Sequence, residues 1–217
     1  MCWNQYVSLN TFIFSTFVLL LIIYNNKYSP YKIEHFDNVY YQLFLMSFIT
    51  MQLVEFFLWR NLNDKKRNQL FSIFGATLIL LQPVASLMLL TNSSLRLKML
   101  AAYCIPFFSL FIYKVSTTEF HTVVAKNGHL QWEWGNFEGS KFVFLVVWLF
   151  FLLFSLFVNK MYLGLFYTVV LLLLTLYSYH SSGTFGSLWC WSINTLMIYN
   201  AIHLLLVLPF YEHGICC

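Results

Sequence analysis

Charge is what this chain has least of. Only 9% of its 217 residues are Asp, Glu, Lys or Arg, 60% are hydrophobic, and the mean hydropathy is +0.70. An ordinary soluble domain carries about 25% charged residues. A water-soluble fold is therefore excluded, and a polytopic membrane protein is expected. The 12 basic and 8 acidic residues leave +4, but the basic ones sit between apolar runs and form no stripe, which argues against a nucleic-acid surface. Glycine (8) and proline (4) are scarce, and there is no internal repeat or low-complexity linker. The five cysteines, Cys2, Cys104, Cys190, Cys216 and Cys217, are odd in number and make no C-x-x-C pair, so neither a disulfide framework nor a zinc knuckle is indicated. Free or lipidated thiols are the simplest reading. Also absent are a Lys in the last apolar run for a retinal Schiff base, a zinc-protease H-E-x-x-H, a G-x-S-x-G elbow, a phosphate-binding glycine loop and a potassium-filter sequence.

What is present is a succession of apolar runs. A helix needs about 20 apolar residues to cross roughly 30 Å of hydrocarbon. Seven spans are predicted, at about 7–24, 39–59, 70–90, 99–113, 142–158, 161–179 and 188–210, forming one all-α transmembrane bundle. The first run lacks a basic leader and a small-residue cleavage site, so it is expected to stay as a membrane helix. Pro83 near the middle of the third span frees a backbone carbonyl that a neighbour must satisfy. The longest polar segment, Lys114 to Lys141, contains Leu130-Gln131-Trp132-Glu133-Trp134, whose indoles are expected at the membrane interface. Arg60, Lys65, Lys66, Arg67, Lys114, Lys126 and Lys141 fall on one side, against Lys27, Lys32, Arg96, Lys98 and Lys160 on the other. That bias predicts a cytosolic N-terminus and an external C-terminus.

The second span carries Gln52 and Glu55 inside Ile49-Thr50-Met51-Gln52-Leu53-Val54-Glu55-Phe56-Phe57-Leu58-Trp59. An acidic side chain at a helix centre costs roughly 2.5–3.5 kcal/mol on insertion scales, so it marks a functional group or an interhelical clamp. Gln52, Glu55 and Trp59 share a helix face by their spacing. Topology delivers Glu55, Cys2, His121, His129, His180 and Cys190 to the same end of the bundle. Carboxylate, imidazole and thiol at one depth are suited to binding a metal, relaying protons, or pairing a nucleophile with its base. The structural alternative is polar residues collecting near an interface. His203 lies deep in the last span, either as a buried neutral imidazole or as a proton-relay member.

Met1-Cys2-Trp3 with Ser8, Gln52-x-x-Glu55 with Trp59, Pro83, Gly128-His129, Trp189-Cys190-Trp191 and His203 together resemble a family of small bacterial seven-helix membrane proteins of unknown function opening Met-Cys-Phe-Ser, with Met-Cys-Trp-Ser relatives in large DNA viruses of eukaryotes. Asn4 stands where that family has Ser, and Phe56 where bacterial members have Gly. The resemblance implies that Cys2, Gln52, Glu55, His129 and Cys190 form one site. It implies no activity.

The leading expectation is a bundle that binds or translocates a small solute, a proton or soft metal ion, with Glu55 as the charged group and Cys2, His129 and Cys190 as ligands. His180 and His203 are secondary candidates. The alternatives are an intramembrane enzyme acting on a lipid or thiol substrate, with Cys2 or Cys190 as nucleophile, His129 as base and Glu55 as orienting group, and a structural viral membrane protein.

Overall fold

The computed structural model describes residues 4–135 and 140–212. Four helices lead: α1 (Gln5–Tyr28), α2 (Val39–Arg60), α3 (Lys65–Leu87) and α4 (Ser93–Thr117). A short antiparallel hairpin follows, β1 (Thr122–Val124) and β2 (Leu130–Trp132), with Val123 opposite Gln131. Then come α5 (Ser140–Val158), α6 (Tyr162–Tyr179), α7 (Phe185–Ile193), α8 (Leu196–Ile202), a π-helical turn at His203–Val207 and α9 (Leu208–Glu212).

Among the described residues, six helical segments are long and apolar enough to cross a membrane: α1, α2, α3, α4, α6 and the composite stretch Phe185–Phe210. In α5 the apolar stretch Val143–Val158 is shorter. Large apolar side chains such as Phe17, Ile105, Ile112, Leu173 and Leu205 point outward and are more than half exposed. A helical bundle with an apolar exterior is consistent with a multi-pass integral membrane protein.

Helix starts are set by capping. Asn4, Asn38, Asp64 and Asn92 each accept a backbone N–H of the first turn of α1 to α4 through a side-chain oxygen, at 2.9–3.1 Å. Such caps contribute about 1 kcal/mol each. They move the start of α3 from the expected 70 to Lys65, and that of α4 from 99 to Ser93, because helices begin at caps and not where hydrophobicity begins. Lys65 and Arg67 thus sit in the first turn of α3, where the helix dipole disfavours cations. Two ion pairs offset this: Lys65 to Glu119 at 2.9 Å and Arg67 to Asp64 at 3.4 Å.

The central element is α2, flanked by α1, α3 and α7, with Phe44, Phe48, Met51 and Leu58 buried. Pro83 carries no N–H for the Ile79 carbonyl, and the Trp148 indole of α5 donates to that oxygen at 3.0 Å. Tyr103 of α4 donates to the neighbouring Leu80 carbonyl at 2.8 Å. The proline therefore also fixes where α5 approaches α3.

The Trp-rich segment takes part in the core: Trp132 is buried and the hairpin folds in under one end of the bundle. Asn68 makes this possible. Its Nδ2 donates to the Thr122 carbonyl at 2.8 Å and its Oδ1 accepts the Thr122 N–H at 3.0 Å, standing in for a neighbouring strand. Ser72 adds a hydroxyl contact to Thr122 at 2.8 Å. Buried backbone polar groups must be paired somewhere, and here one side chain pairs both. A second asparagine does the same at the opposite end: Asn26 clasps the N–H and carbonyl of Ile33 at 3.0 and 2.9 Å, pinning the link between α1 and α2.

The last expected span is also redrawn. It is interrupted at Asn194–Thr195, where tight-turn hydrogen bonds replace the α-helical ladder. It loosens again into the π-turn that begins at His203.

Candidate functional site: a buried polar seam beside an aromatic cavity

Gln52 and Glu55 lie one turn apart on the inner face of α2, both fully buried. Gln52 Nε2 donates to Glu55 Oε2 at 3.1 Å, which fixes the carboxylate. On α7 and its C-cap, Ser187, Cys190 and Asn194 repeat at three and four residues and are all buried. The two stripes face each other. Asn194 Nδ2 reaches the Phe48 carbonyl of α2 at 3.4 Å and the Cys190 carbonyl at 2.9 Å. The Cys190 thiol lies within electrostatic reach of Glu55 and has the Gln82 amide of α3 as its polar neighbour. That approach falls short of a hydrogen bond of normal geometry, and neither Nε2 nor Oε1 of Gln82 is otherwise paired among the described residues, although the side chain is fully buried. Leaving a buried amide unpaired costs about 1–3 kcal/mol per group, so such a residue signals something other than packing.

Against this seam lies a cavity of about 310 Å³, bounded by α3, α4, α5, α6, α7 and the hairpin. Its walls are overwhelmingly aromatic and aliphatic: Phe107, Phe111, Trp132, Trp134, Trp148 and Trp189 lead, and Lys114 and Cys190 also border it. Ligand pockets run from about 300 to 1,000 Å³ and are mostly apolar with a few placed polar groups. The hairpin supplies part of the wall, and Gly186 makes room for Trp132: a β-carbon there would come within 3.1 Å of Trp132 Cζ3. Trp132 and Trp134 stack at 5.2 Å, and the indole N–H of each is buried without a partner among the described residues. Opposite them, Trp189 meets Trp148 edge-on at 5.8 Å. Cys190 is the residue common to the polar seam and the cavity wall.

The sequence-expected residues divide accordingly. Gln52, Glu55 and Cys190 come together. His129 sits in the hairpin, buried, with its ring edge-on to Tyr179 at 5.7 Å. His180 is exposed at the end of α6 against Phe185, so it is not part of the cluster. His203 stacks on Tyr199 two turns beyond Asn194, on a half-exposed face, and is likewise apart. Among the described residues no three His, Cys, Asp or Glu side chains converge as a metal-ligating group, so Glu55, His129 and Cys190 do not form one between them. Cys2, Cys216 and Cys217 lie outside the described residues. Gln82, Asn194 and the aromatic cavity are the features that the sequence reading missed. Gln82 did carry a signal, being an amide inside an apolar run like Gln52.

No protein-family model, curated protein or solved structure matches this chain.

Proposed function

We propose that this is a membrane protein with seven spans, α5 supplying the seventh, which binds a single-chain amphiphile such as a fatty acyl group, its apolar tail in the aromatic cavity and its polar end at the Cys190–Gln82–Glu55 seam. One observation carries the reading: Cys190 belongs both to the wall of an apolar cavity and to a buried polar cluster. Apolar cavities stay dry and take up apolar guests, whereas a conduit for protons or ions needs polar walls. The unpaired N–H groups of Gln82, Trp132 and Trp134 give a carbonyl or carboxyl oxygen what it needs, hydrogen-bond donors in a water-poor place. They offer little to a soft metal. The basic residues Arg60, Lys65, Lys66, Arg67, Lys114 and Lys126 at the hairpin end support a cytosolic orientation for that end, and hence for the N-terminus. The resemblance to the Met-Cys-Phe-Ser proteins agrees with the choice of Gln52, Glu55 and Cys190 and says nothing of the ligand.

Native mass spectrometry of the full chain released from membranes tests this. One chain-bearing lipid should be retained per protein and identified after organic extraction. The Leu110→Trp variant, which enlarges a half-exposed cavity-lining side chain, should lose it. Protein that carries no lipid in either form, or equal lipid in both, removes the proposal.

A further inference from the structure

The polar seam has the parts of an acyl-transfer site, and that goes beyond binding. A thiol is a nucleophile once a base takes its proton, and a tetrahedral intermediate requires a donor aimed at its oxyanion. Cys190 supplies the sulfur. Glu55, held at Oε2 by Gln52, supplies a carboxylate within its electrostatic reach. Gln82 supplies an amide that is fully buried, lies beside the thiol and is otherwise without a partner among the described residues. The cavity that Cys190 borders is lined for an aliphatic chain. Buried structural cysteines are ordinarily inert and set among apolar groups. The company of a carboxylate, an unpaired amide and a chain-sized cavity sets this one apart, and Cys104 is not among the residues that line the cavity.

We infer that Cys190 accepts a long-chain acyl group from an acyl thioester, forming a thioester within the bundle. The inference rests on the amphiphile-binding reading of the cavity. In the step, Glu55 takes the Sγ proton as the sulfur attacks the carbonyl carbon, and the Gln82 N–H receives the developing oxyanion. Collapse breaks the donor's carbon–sulfur bond, and the departing thiolate recovers the proton from Glu55. Cys190–SH and R–CO–S–R′ become Cys190–S–CO–R and R′–SH, with no change in oxidation state. A thioester donor is specified because exchange between thioesters is nearly balanced in energy, whereas transfer from an oxygen ester to a thiol runs uphill. The acyl chain made in this way occupies the cavity next to its attachment point.

The test uses the wild-type chain in lipid nanodiscs with an alkyne-tagged palmitoyl-CoA. After tagging, peptide mass spectrometry should locate the label on Cys190, and neutral hydroxylamine should remove it, as it does thioesters and not amides. Cys190→Ser should abolish this label, Cys104→Ser should leave it unchanged, and Glu55→Gln should slow its appearance at least ten-fold, with circular dichroism and monodispersity confirming that each variant is folded. Direct mapping in the wild type keeps the result readable if a variant fails to fold. Label confined to other cysteines overturns the acyl transfer. If a photoactivatable palmitic acid still marks the cavity in that case, amphiphile binding stands without the chemistry; if it does not, both fall.

Discussion

Replacing Trp148 by Phe removes one hydrogen-bond donor from a place where the backbone cannot compensate. The Ile79 carbonyl has lost its usual donor because residue 83 is proline, and the Trp148 indole at 3.0 Å replaces it. An unpaired buried carbonyl costs about 1–3 kcal/mol in protein mutational series. Interhelical hydrogen bonds in membrane proteins average nearer 0.6 kcal/mol and reach about 1.7, because the reference state finds other partners. Trp148→Phe also trims an indole from a packed wall, a loss unrelated to the carbonyl. A double-mutant cycle separates the two, since Pro83→Ala restores an N–H that can donate to Ile79. Trp148→Phe is expected to destabilise the protein that keeps Pro83 by about 1–3 kcal/mol, and to cost about 1 kcal/mol less in the Pro83→Ala background. Thermal or denaturant unfolding in a mild detergent, followed by circular dichroism, reads both. Equal costs in the two backgrounds would show that the indole serves packing alone and would refute the capping argument.

Four further outcomes are expected. Asn68→Leu leaves the Thr122 N–H and carbonyl unpaired beneath the bundle and should release the hairpin, seen as new protease cleavage between residues 118 and 135 and a loss of about 2 kcal/mol or more from two orphaned groups; cleavage unchanged from wild type would contradict the clasp. Gly186→Val, whose β-carbon meets the Trp132 ring at 3.1 Å, should displace the indole and red-shift the tryptophan emission, whereas an unshifted spectrum would mean that the hairpin does not rest there. Lys160 holds a left-handed backbone with φ of 57°, which costs a side-chain-bearing residue roughly 1–2 kcal/mol; Lys160→Gly should therefore stabilise the protein by up to about 1 kcal/mol, and a lowered melting temperature would count against the turn geometry. Asn26→Ala should raise amide exchange at Ile33 first, and uniform exchange across the bundle would show the clasp to be incidental.

Glu55 and Gln52 were legible because a polar side chain in an apolar run has few explanations, and the same logic points to Gln82. Gln82 was not assigned to the site because it lies most of the way along α3, more than two turns deeper than Glu55 by sequence count. Topology placed His129 and His180 at the right end of the bundle, but an end has a radius. Height along the axis is countable from a sequence; position across the bundle comes from packing, and that left His180 on the surface. The cavity was hidden for a different reason. Two of its walls come from Trp132 and Trp134, in a segment that reads as a polar loop and is folded inward by hydrogen bonds from Asn68, far away in the chain. The need for a partner at Pro83 was readable, because a missing N–H is a property of the residue itself; the identity of Trp148 was not.

Photocrosslinking tests the central claim most directly. A palmitic acid carrying a diazirine along its chain would be irradiated with the full-length protein in membranes and the adducts located by peptide mass spectrometry. Amphiphile binding in the cavity predicts adducts on the lining residues Phe107, Trp132, Trp148 and Trp189, reduced by unlabelled palmitate and by Leu110→Trp. Adducts confined to outward-facing residues such as Leu173 and Leu205, insensitive to competition, would contradict it.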